Sequence, residues 1–391
     1  MSNNRSGNMT EQPMKIVLLG PVPPYRGGIA HFTQSLAEKL VQASHEVLTI
    51  SYRKQYPNWL YPGKSDKDYS QKTTLKDVEF LFSPLNCWDW RKTLREIRDY
   101  QPDLVIYPWW VTFWAPATSW LLGKLRKYGI PATVLVHNTF PHEGGRLDRQ
   151  LTKFALKDAR SFITMTEKET QRLKAVVREG SSIKTAAHPV YRQFPRSGLN
   201  KSEVRYKLGL PVGDPLALFF GFVRPYKGLD ILLEAVGILK QEKVNIHLIV
   251  AGEFWQGVAE YEKLIDELGI GDIVTIRAEY IPDAEAGLYF EAAHFFVAPY
   301  IDGTQSGSIK LSMGYGLPLI VTDVITDPLT LNYEGGLSVV RSADALAFAE
   351  KIKEMSRGNF DSKREGATIV NNSWQSLLEA LLTYRADCTK N

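Results

Sequence analysis

The chain has 391 residues, 44% of them hydrophobic, with 47 basic and 43 acidic side chains that leave a formal charge of +4. That is enough apolar material for two cores of ordinary domain size, and a near balance of charge without any lysine and arginine run disfavours nucleic acid as a partner. The two cysteines, Cys87 and Cys388, lie far apart and in no metal-binding spacing, which fits a reducing compartment and gives no structural zinc. Met1 to Gln12 is polar, and no apolar run is long enough to cross a bilayer, so a cytoplasmic protein is expected.

Lys15 to Leu19 predicts a strand, Gly20 to Gly28 a loop, and the spacing of Ile29, Phe32, Leu36 and Leu40 a helix from Ile29 to Val41. The loop lacks the GxGxxG fingerprint, and the next strand, Val47 to Ser51, ends in Ser-Tyr-Arg without an acidic residue. Dinucleotide binding is therefore disfavoured. Gly27 and Gly28 would let a substrate approach the backbone, with a tight turn as the plain alternative. Residues 52–75 show no periodicity and predict a long polar loop over the cleft side of the sheet. Asp103 to Tyr107 predicts the next strand, which runs into Trp109, Trp110, Phe113, Trp114 and Trp120. Core packing, an acceptor-binding wall and contact with a membrane surface are three uses for such aromatic density.

Pro131 to Val136 predicts a strand that ends at His137 and Asn138, with His142 and Glu143 in the same loop. A histidine at the carboxyl end of a parallel strand faces the ligand crevice, where it can bond a sugar hydroxyl or a phosphate, with a core histidine as the plain alternative. Phe162 to Thr164 predicts a further strand, Thr166 an N-cap for a helix through Val177, and residues 191–200 a turn-rich linker.

In the second half Leu216 to Phe220 predicts a strand, followed by a loop carrying Arg224 and Lys227 and a helix from Leu229 to Leu239. Val244 to Ala251, Ile273 to Ala278 and Phe295 to Ala298 predict three more strands. Gly303 to Ser308 is a loop of small polar residues, Ile309 to Tyr315 a short helix, and Leu317 to Val321 the next strand. In such a βαβ unit the loop opens at the carboxyl end of the sheet. The free N–H groups near Ser306, Gly307 and Ser308 then suit an anion, and Arg224 and Lys227 can face the same crevice. The loop is a candidate diphosphate cradle, with an ordinary βα loop as the plain alternative.

At this point the sequence resembles the retaining, nucleotide-sugar-dependent glycosyltransferases of group 1, which are family 4-like and have the GT-B fold. The resemblance covers nearly all of residues 14–385. It rests on Gly27-Gly28, the strand-end His137, the GFVRPYKGLDILLEA stretch from Gly221 to Ala235, the turn from Ala251 to Glu253, the loop and helix from Tyr300 to Pro318, and Ser373-Trp374. It implies an α/β chain of two facing Rossmann-like domains with parallel sheets. The expected organisation is a disordered tail at 1–13, an N-terminal acceptor domain at 14–190, a linker at 191–200, a donor domain at 201–370, and a helix at 371–391 packing back on the first domain.

Carried over by position, Lys227 matches the family lysine that binds the donor diphosphate. The family arginine after Gly221 is Phe222 here, with Arg224 as the stand-in. His137 matches the histidine near the donor sugar, and Gly28 the glycine that approaches the transferred group. The family's paired glutamates fall at Gly303 and Leu311, neither of them acidic, which leaves Asp302, Gln305, Glu253 or backbone groups to take their place. The resemblance thus implies His137, Arg224 and Lys227 as reacting-centre residues. It implies Gly27, Gly28, Asn138, Glu253, Asp302, Thr304, Gln305, Ser306, Gly307 and Ser308 as substrate contacts.

The implied activity is retaining transfer of a hexose from a nucleoside diphosphate sugar to a glycan or lipid-linked acceptor, in cell-surface polysaccharide or glycolipid synthesis. The leaving diphosphate would help to deprotonate the acceptor, so no pair of catalytic carboxylates, no metal and no separate cofactor is expected. Peripheral contact with the inner face of the membrane is a further expectation. The alternatives are a disaccharide synthase or phosphorylase of the same fold, and a non-catalytic homologue that binds sugar nucleotides.

Overall fold

A computed structural model describes residues 12–56, 65–69, 72–141, 144–190, 194, 196–303, 305–358 and 366–383. Thr304, His142, Glu143, most of the expected tail, part of the expected linker and the last residues of the expected C-terminal helix lie outside these described residues. The fold is α/β and holds two wholly parallel sheets. The first contains β1 (Lys15–Leu19), β2 (Glu46–Tyr52), β3 (Val78–Phe82), β4 (Leu104–Trp109), β5 (Ala132–Val136), β6 (Ser161–Thr164) and β7 (Ser182–Thr185), in the order β3-β2-β1-β4-β5-β6-β7. The second contains β8 (Leu216–Phe220), β9 (His247–Ala251), β10 (Val274–Arg277), β11 (Phe295–Ala298), β12 (Leu319–Thr322) and β13 (Leu337–Val340), in the order β10-β9-β8-β11-β12-β13.

The continuous apolar run of β1 after Lys15 explains its burial on both faces. Ile16 and Leu18 join the core formed with the helix Gly28–Gln42, whereas Val17 and Leu19 face the helices Cys87–Tyr100 and Ala115–Lys127. The first of these cores runs on into the second domain. Phe32 on the helix Gly28–Gln42 lies 5.6 Å from Trp374 between ring centres, and Trp374 Nε1 donates to the Val190 carbonyl at 3.0 Å. Val190 N–H in turn donates to Ser373 Oγ at 3.0 Å. The helix Gly366–Leu382 thereby touches the end of the first domain and buries Trp374, Leu377 and Leu381. Each such fully buried large side chain contributes roughly 1.5–3 kcal/mol.

Trp109 and Trp114 of the aromatic stretch are core, which corrects the use of these two rings as an acceptor wall or a membrane-facing surface, whereas Trp110, Phe113 and Trp120 are partly buried. Trp109 closes β4, and both Trp109 and Trp114 are fully buried. Trp114 packs 4.8 Å from Tyr52 and 4.2 Å from Trp110. The cause is the short 3₁₀ turn Thr112–Trp114, which folds the chain back over the sheet as it enters the helix Ala115–Lys127. Trp110 stays half-buried, donates to the Tyr56 hydroxyl at 3.4 Å, and lies edge-on to His137 with ring centres 6.4 Å apart.

Three strands have no counterpart in the sequence reading: β3, β7 and β13. All three are sheet edges with partly exposed residues, so they lack the continuous apolar run that marks a strand buried on both faces.

Candidate active site

In a doubly wound parallel sheet, a crevice opens where the strand order reverses. Here those places are between β1 and β4 and between β8 and β11. The loops leaving β1 and β5 in one domain and β8, β9 and β11 in the other meet around a cavity of about 310 Å³. Gly27, Gly28, His137, Asn138, Lys227, Glu253, Gln305, Ser306, Gly307 and Ser308 all line it. Arg224 and Asp302 do not line it. The Arg224 guanidinium stacks 5.1 Å from the Tyr226 ring and 4.9 Å from the Trp255 ring, and it acts on the cavity through its charge on Lys227. Asp302 faces a separate cavity.

Two glycines hold the walls close together. Gly27 has φ 98°, and a Cβ there would point at Phe222 across the cleft, 3.6 Å away. Gly221 has φ 104°, and a Cβ there would lie 3.0 Å from Ser308 Oγ and 3.4 Å from Lys227 Nζ. The lysine ammonium and the first helical turn thus converge on one patch of bare backbone, as a bound phosphate requires.

Lys227 is only 7% exposed, with Nζ 5.5 Å from the centre of the Tyr300 ring. Burial, and then the charge of Arg224, push its pKa down from 10.5 to about 7. The helix Gly307–Gly314 begins beside it, and the Tyr300 hydroxyl and Ser306 Oγ share a hydrogen bond of 3.0 Å. The N–H groups of the first helical turn have no acceptor within the helix, so they point their dipoles into the cavity.

His137 sits opposite. Gln305 Nε2 donates to the His137 carbonyl at 3.1 Å, which ties the loop after β11 to the end of β5. The imidazole packs against Phe32 at 4.9 Å, and its Nε2 is buried without a hydrogen-bond partner among the described residues. Burial, and then His188, lower the His137 pKa to about 3. A neutral ring of this kind suits a sugar hydroxyl better than a phosphate, because a phosphate would be bound best by the imidazolium.

Several lining residues were not among the site residues expected from the sequence: His31, Phe32, Tyr280 and Asp283, while Leu311, expected at a family glutamate position, lines it as well. His31 Nε2 and Asp283 Oδ2 approach to 3.1 Å across the cleft, and the Arg26 guanidinium lies 3.9 Å over the Tyr280 ring. His31 follows Gly28 by three residues, one turn along the same helix face, and that spacing is the signal that could have found it. Asp283 begins a helix in the other domain, and nothing in its local sequence connects it with His31.

Comparison with known proteins agrees with this geometry. The family described as Glycosyltransferase Family 4 matches residues 26–184, and the one described as Glycosyl transferases group 1 matches residues 214–357. The D-inositol 3-phosphate glycosyltransferase of Segniliparus rotundus is 27% identical over 202 residues, which is 48% of this chain and 43% of that protein. The protein of the same name from Streptomyces coelicolor is 28% identical over 190 residues, 42% of this chain and 39% of its own. The aligned stretch thus spans under half the length of the curated relatives it matches. Among solved structures, Anabaena HepE in complex with UDP-glucose superposes with a TM-score of 0.67 at 15% identity, covering 96% of this chain and 98% of that one. Sucrose-phosphate synthase from Thermosynechococcus elongatus gives a TM-score of 0.65 at 18% identity, with 96% of each chain covered. The two family matches and the two facing sheets agree: this chain belongs to the group 1 and family 4 glycosyltransferases of the GT-B fold.

Proposed function

We propose that this protein transfers a hexose from a nucleoside diphosphate sugar to a glycan or lipid-linked acceptor, with retention, during synthesis of a cell-surface polysaccharide or glycolipid. The observation that carries the reading is the convergence of Lys227 Nζ and Ser308 Oγ on Gly221, at the start of a helix and opposite the neutral His137. The sugar C1–oxygen bond breaks as negative charge grows on the leaving diphosphate. Protonated Lys227 and the helix N–H groups stabilise that charge. The acceptor hydroxyl attacks C1, and its proton passes to the leaving phosphate oxygen. His137 bonds a donor sugar hydroxyl and positions the ring.

Leu311, at one of the positions where the family carries a glutamate, lines the cavity as an apolar side chain. Of the two carboxylates expected to replace the family glutamates, Glu253 lines it and Asp302 does not, which supports Glu253 for the nucleotide hydroxyls. Several related proteins are named for, or were solved with, substrates consistent with this chemistry: D-inositol 3-phosphate glycosyltransferase, and HepE with UDP-glucose. Among the described residues no helix is long and apolar enough to cross a membrane. For peripheral contact, Leu85 and Trp88 are two neighbouring residues among the exposed apolar groups, and the Arg91 guanidinium lies 5.2 Å from the Trp88 ring.

The test is a panel of UDP-, GDP- and ADP-sugars read first by thermal stabilisation and then by release of the nucleoside diphosphate, with the anomeric configuration of the product read by NMR. Transfer is expected to survive a chelator of divalent ions, since Lys227 and the helix start supply the positive charge. Binding of a sugar nucleotide without turnover on any acceptor would favour the non-catalytic alternative.

A further inference from the structure

A buried charged pair plays no part in the chemistry proposed for the cleft. Lys310 and Asp327 are both fully buried, and Lys310 Nζ forms an ion pair with Asp327 Oδ2. Nζ also donates to Thr330 Oγ1 at 2.9 Å, while Asp327 Oδ2 accepts the Thr330 N–H at 2.8 Å and so caps the short helix Pro328–Leu331. Asp327 Oδ1 is buried without a hydrogen-bond partner among the described residues. Such a pair stabilises a fold poorly, because the desolvation of two charges offsets their attraction and apolar residues of similar volume do as well or better. Lys310 is also the fourth residue of the helix Gly307–Gly314, where a cation runs against the helix dipole.

Its place in the fold gives the pair a use. Lys310 follows Ser308 by two residues, about 3 Å along the helix axis, and Ser308 Oγ is the atom that approaches bare Gly221 beside Lys227. The turn between them is tied internally, since Lys310 N–H donates to the Ser306 carbonyl at 3.1 Å and Ser312 Oγ to the Ser308 carbonyl at 2.8 Å. Asp327 stands on the loop that leaves β12, the strand paired with β11. The pair therefore fastens the helix that opens on the cavity to the loop of the neighbouring strand. It also lies close behind the cavity wall: burial, and then the charge of Lys310, lower the pKa of the cavity-lining His188 to about 4, and Asp327 acts on the same ring in the opposite sense. Charge-assisted hydrogen bonds fix direction as well as spacing, whereas apolar contacts are non-directional.

We propose that Lys310 and Asp327 are positioning residues: the pair sets the first turn of the helix Gly307–Gly314 against Gly221 and Lys227, and so decides how well the helix N–H groups meet the leaving diphosphate. The proposal rests on the glycosyltransferase reading of that cleft. A misplacement of ~1 Å costs on the order of 100-fold in rate, so a pair that adds little to stability still governs turnover.

The test uses the full chain with both charges removed together, Lys310→Met with Asp327→Asn, which keeps the volume and the cap on Thr330. Inorganic pyrophosphate is the calorimetric probe, and each titration is run well below the melting temperature of the variant, so that lost affinity reports on the site and not on unfolding. Pyrophosphate affinity is expected to fall at least about tenfold, with the melting temperature equal to that of the unchanged protein or higher. In transfer assays kcat should fall by a similar factor while KM for the acceptor is unchanged, a split that a purely structural pair would not produce. Unchanged pyrophosphate affinity overturns the proposal, whatever the melting temperature does. If this variant does not fold, Lys310→Met with Asp327→Leu takes its place and is read in the same way. Lys227→Met reads the cleft separately. If Lys227→Met leaves pyrophosphate affinity unchanged, the glycosyltransferase reading of the cleft fails and the proposal falls with it. Weak binding in Lys227→Met beside full binding in the double variant overturns the proposal alone.

Discussion

Replacing Lys227 by methionine should move stability and ligand binding in opposite directions. The side chain is 7% exposed and its pKa is lowered to about 7, chiefly by burial and then by Arg224. Against an ordinary value of 10.5, the folded protein binds this proton less well than the unfolded chain does, so the penalty is fully present below pH 7. It fades as pH rises from 7 toward 10.5. At roughly 1.4 kcal/mol per unit, the upper bound on that penalty is about 5 kcal/mol, and relaxation around the ammonium reduces it. Methionine keeps the length and apolar stem without the charge. The unliganded variant should therefore melt about 2 °C or more higher than the unchanged protein at pH 7, and the gap should close by pH 10. Nucleoside diphosphate affinity should fall by about 10- to 150-fold, the loss of one charge-assisted contact of ~1.5–3 kcal/mol. Proton uptake on binding supplies an internal check: calorimetric titration at pH 8 in buffers of different ionisation enthalpy should show uptake of nearly one proton, absent in the variant. A variant that melts lower and binds diphosphate unchanged would refute the assignment, because Lys227 would then be a structural residue.

His137→Ala should lower kcat/KM about tenfold through loss of one neutral hydrogen bond to the donor sugar, with nucleoside diphosphate affinity unchanged; a fall in diphosphate affinity measured by calorimetry would assign the ring to the phosphate. Burial holds the His137 pKa near 3 and the His188 pKa near 4, so both rings stay neutral in the fold while the unfolded chain takes up protons below pH 6.5. Stability is therefore complete above pH 6.5 and falls as pH drops toward 4, and His188→Asn should flatten that fall by up to about 1 kcal/mol per pH unit in denaturant titrations. Trp114→Ala should destabilise by about 3–5 kcal/mol, since the ring is fully buried among Tyr52, Tyr56 and Trp110. Normal stability with a raised acceptor KM would restore the acceptor-wall reading.

Much of the architecture was legible because the buried strands of a parallel sheet are continuous apolar runs. Lys15–Leu19, Leu216–Phe220 and Phe295–Ala298 stand in the structure with the limits their composition predicts. The small-residue loop before the helix Gly307–Gly314 was legible for a related reason, since only bare backbone and short side chains admit a phosphate. The edge strands β3, β7 and β13 were not legible. Their residues are shared between core and solvent, and their pairing is decided by neighbours distant in sequence. The aromatic stretch shows the same limit: Trp109, Trp110 and Trp114 read alike, yet Trp109 is buried as the end of β4 and Trp114 in the turn at Thr112–Trp114, while Trp110 stays half-buried beside His137. Which of the two candidate carboxylates lines the cleft was likewise decided in three dimensions, because Glu253 and Asp302 both follow strand ends and, of the two, Glu253 reaches the main cavity. The meeting of His31 with Asp283, and of Gln305 with the His137 carbonyl, depends on how one domain faces the other. Local propensity carries no information about that orientation, which follows from the apolar surface shared by the helix Gly28–Gln42, Phe194 and Trp374.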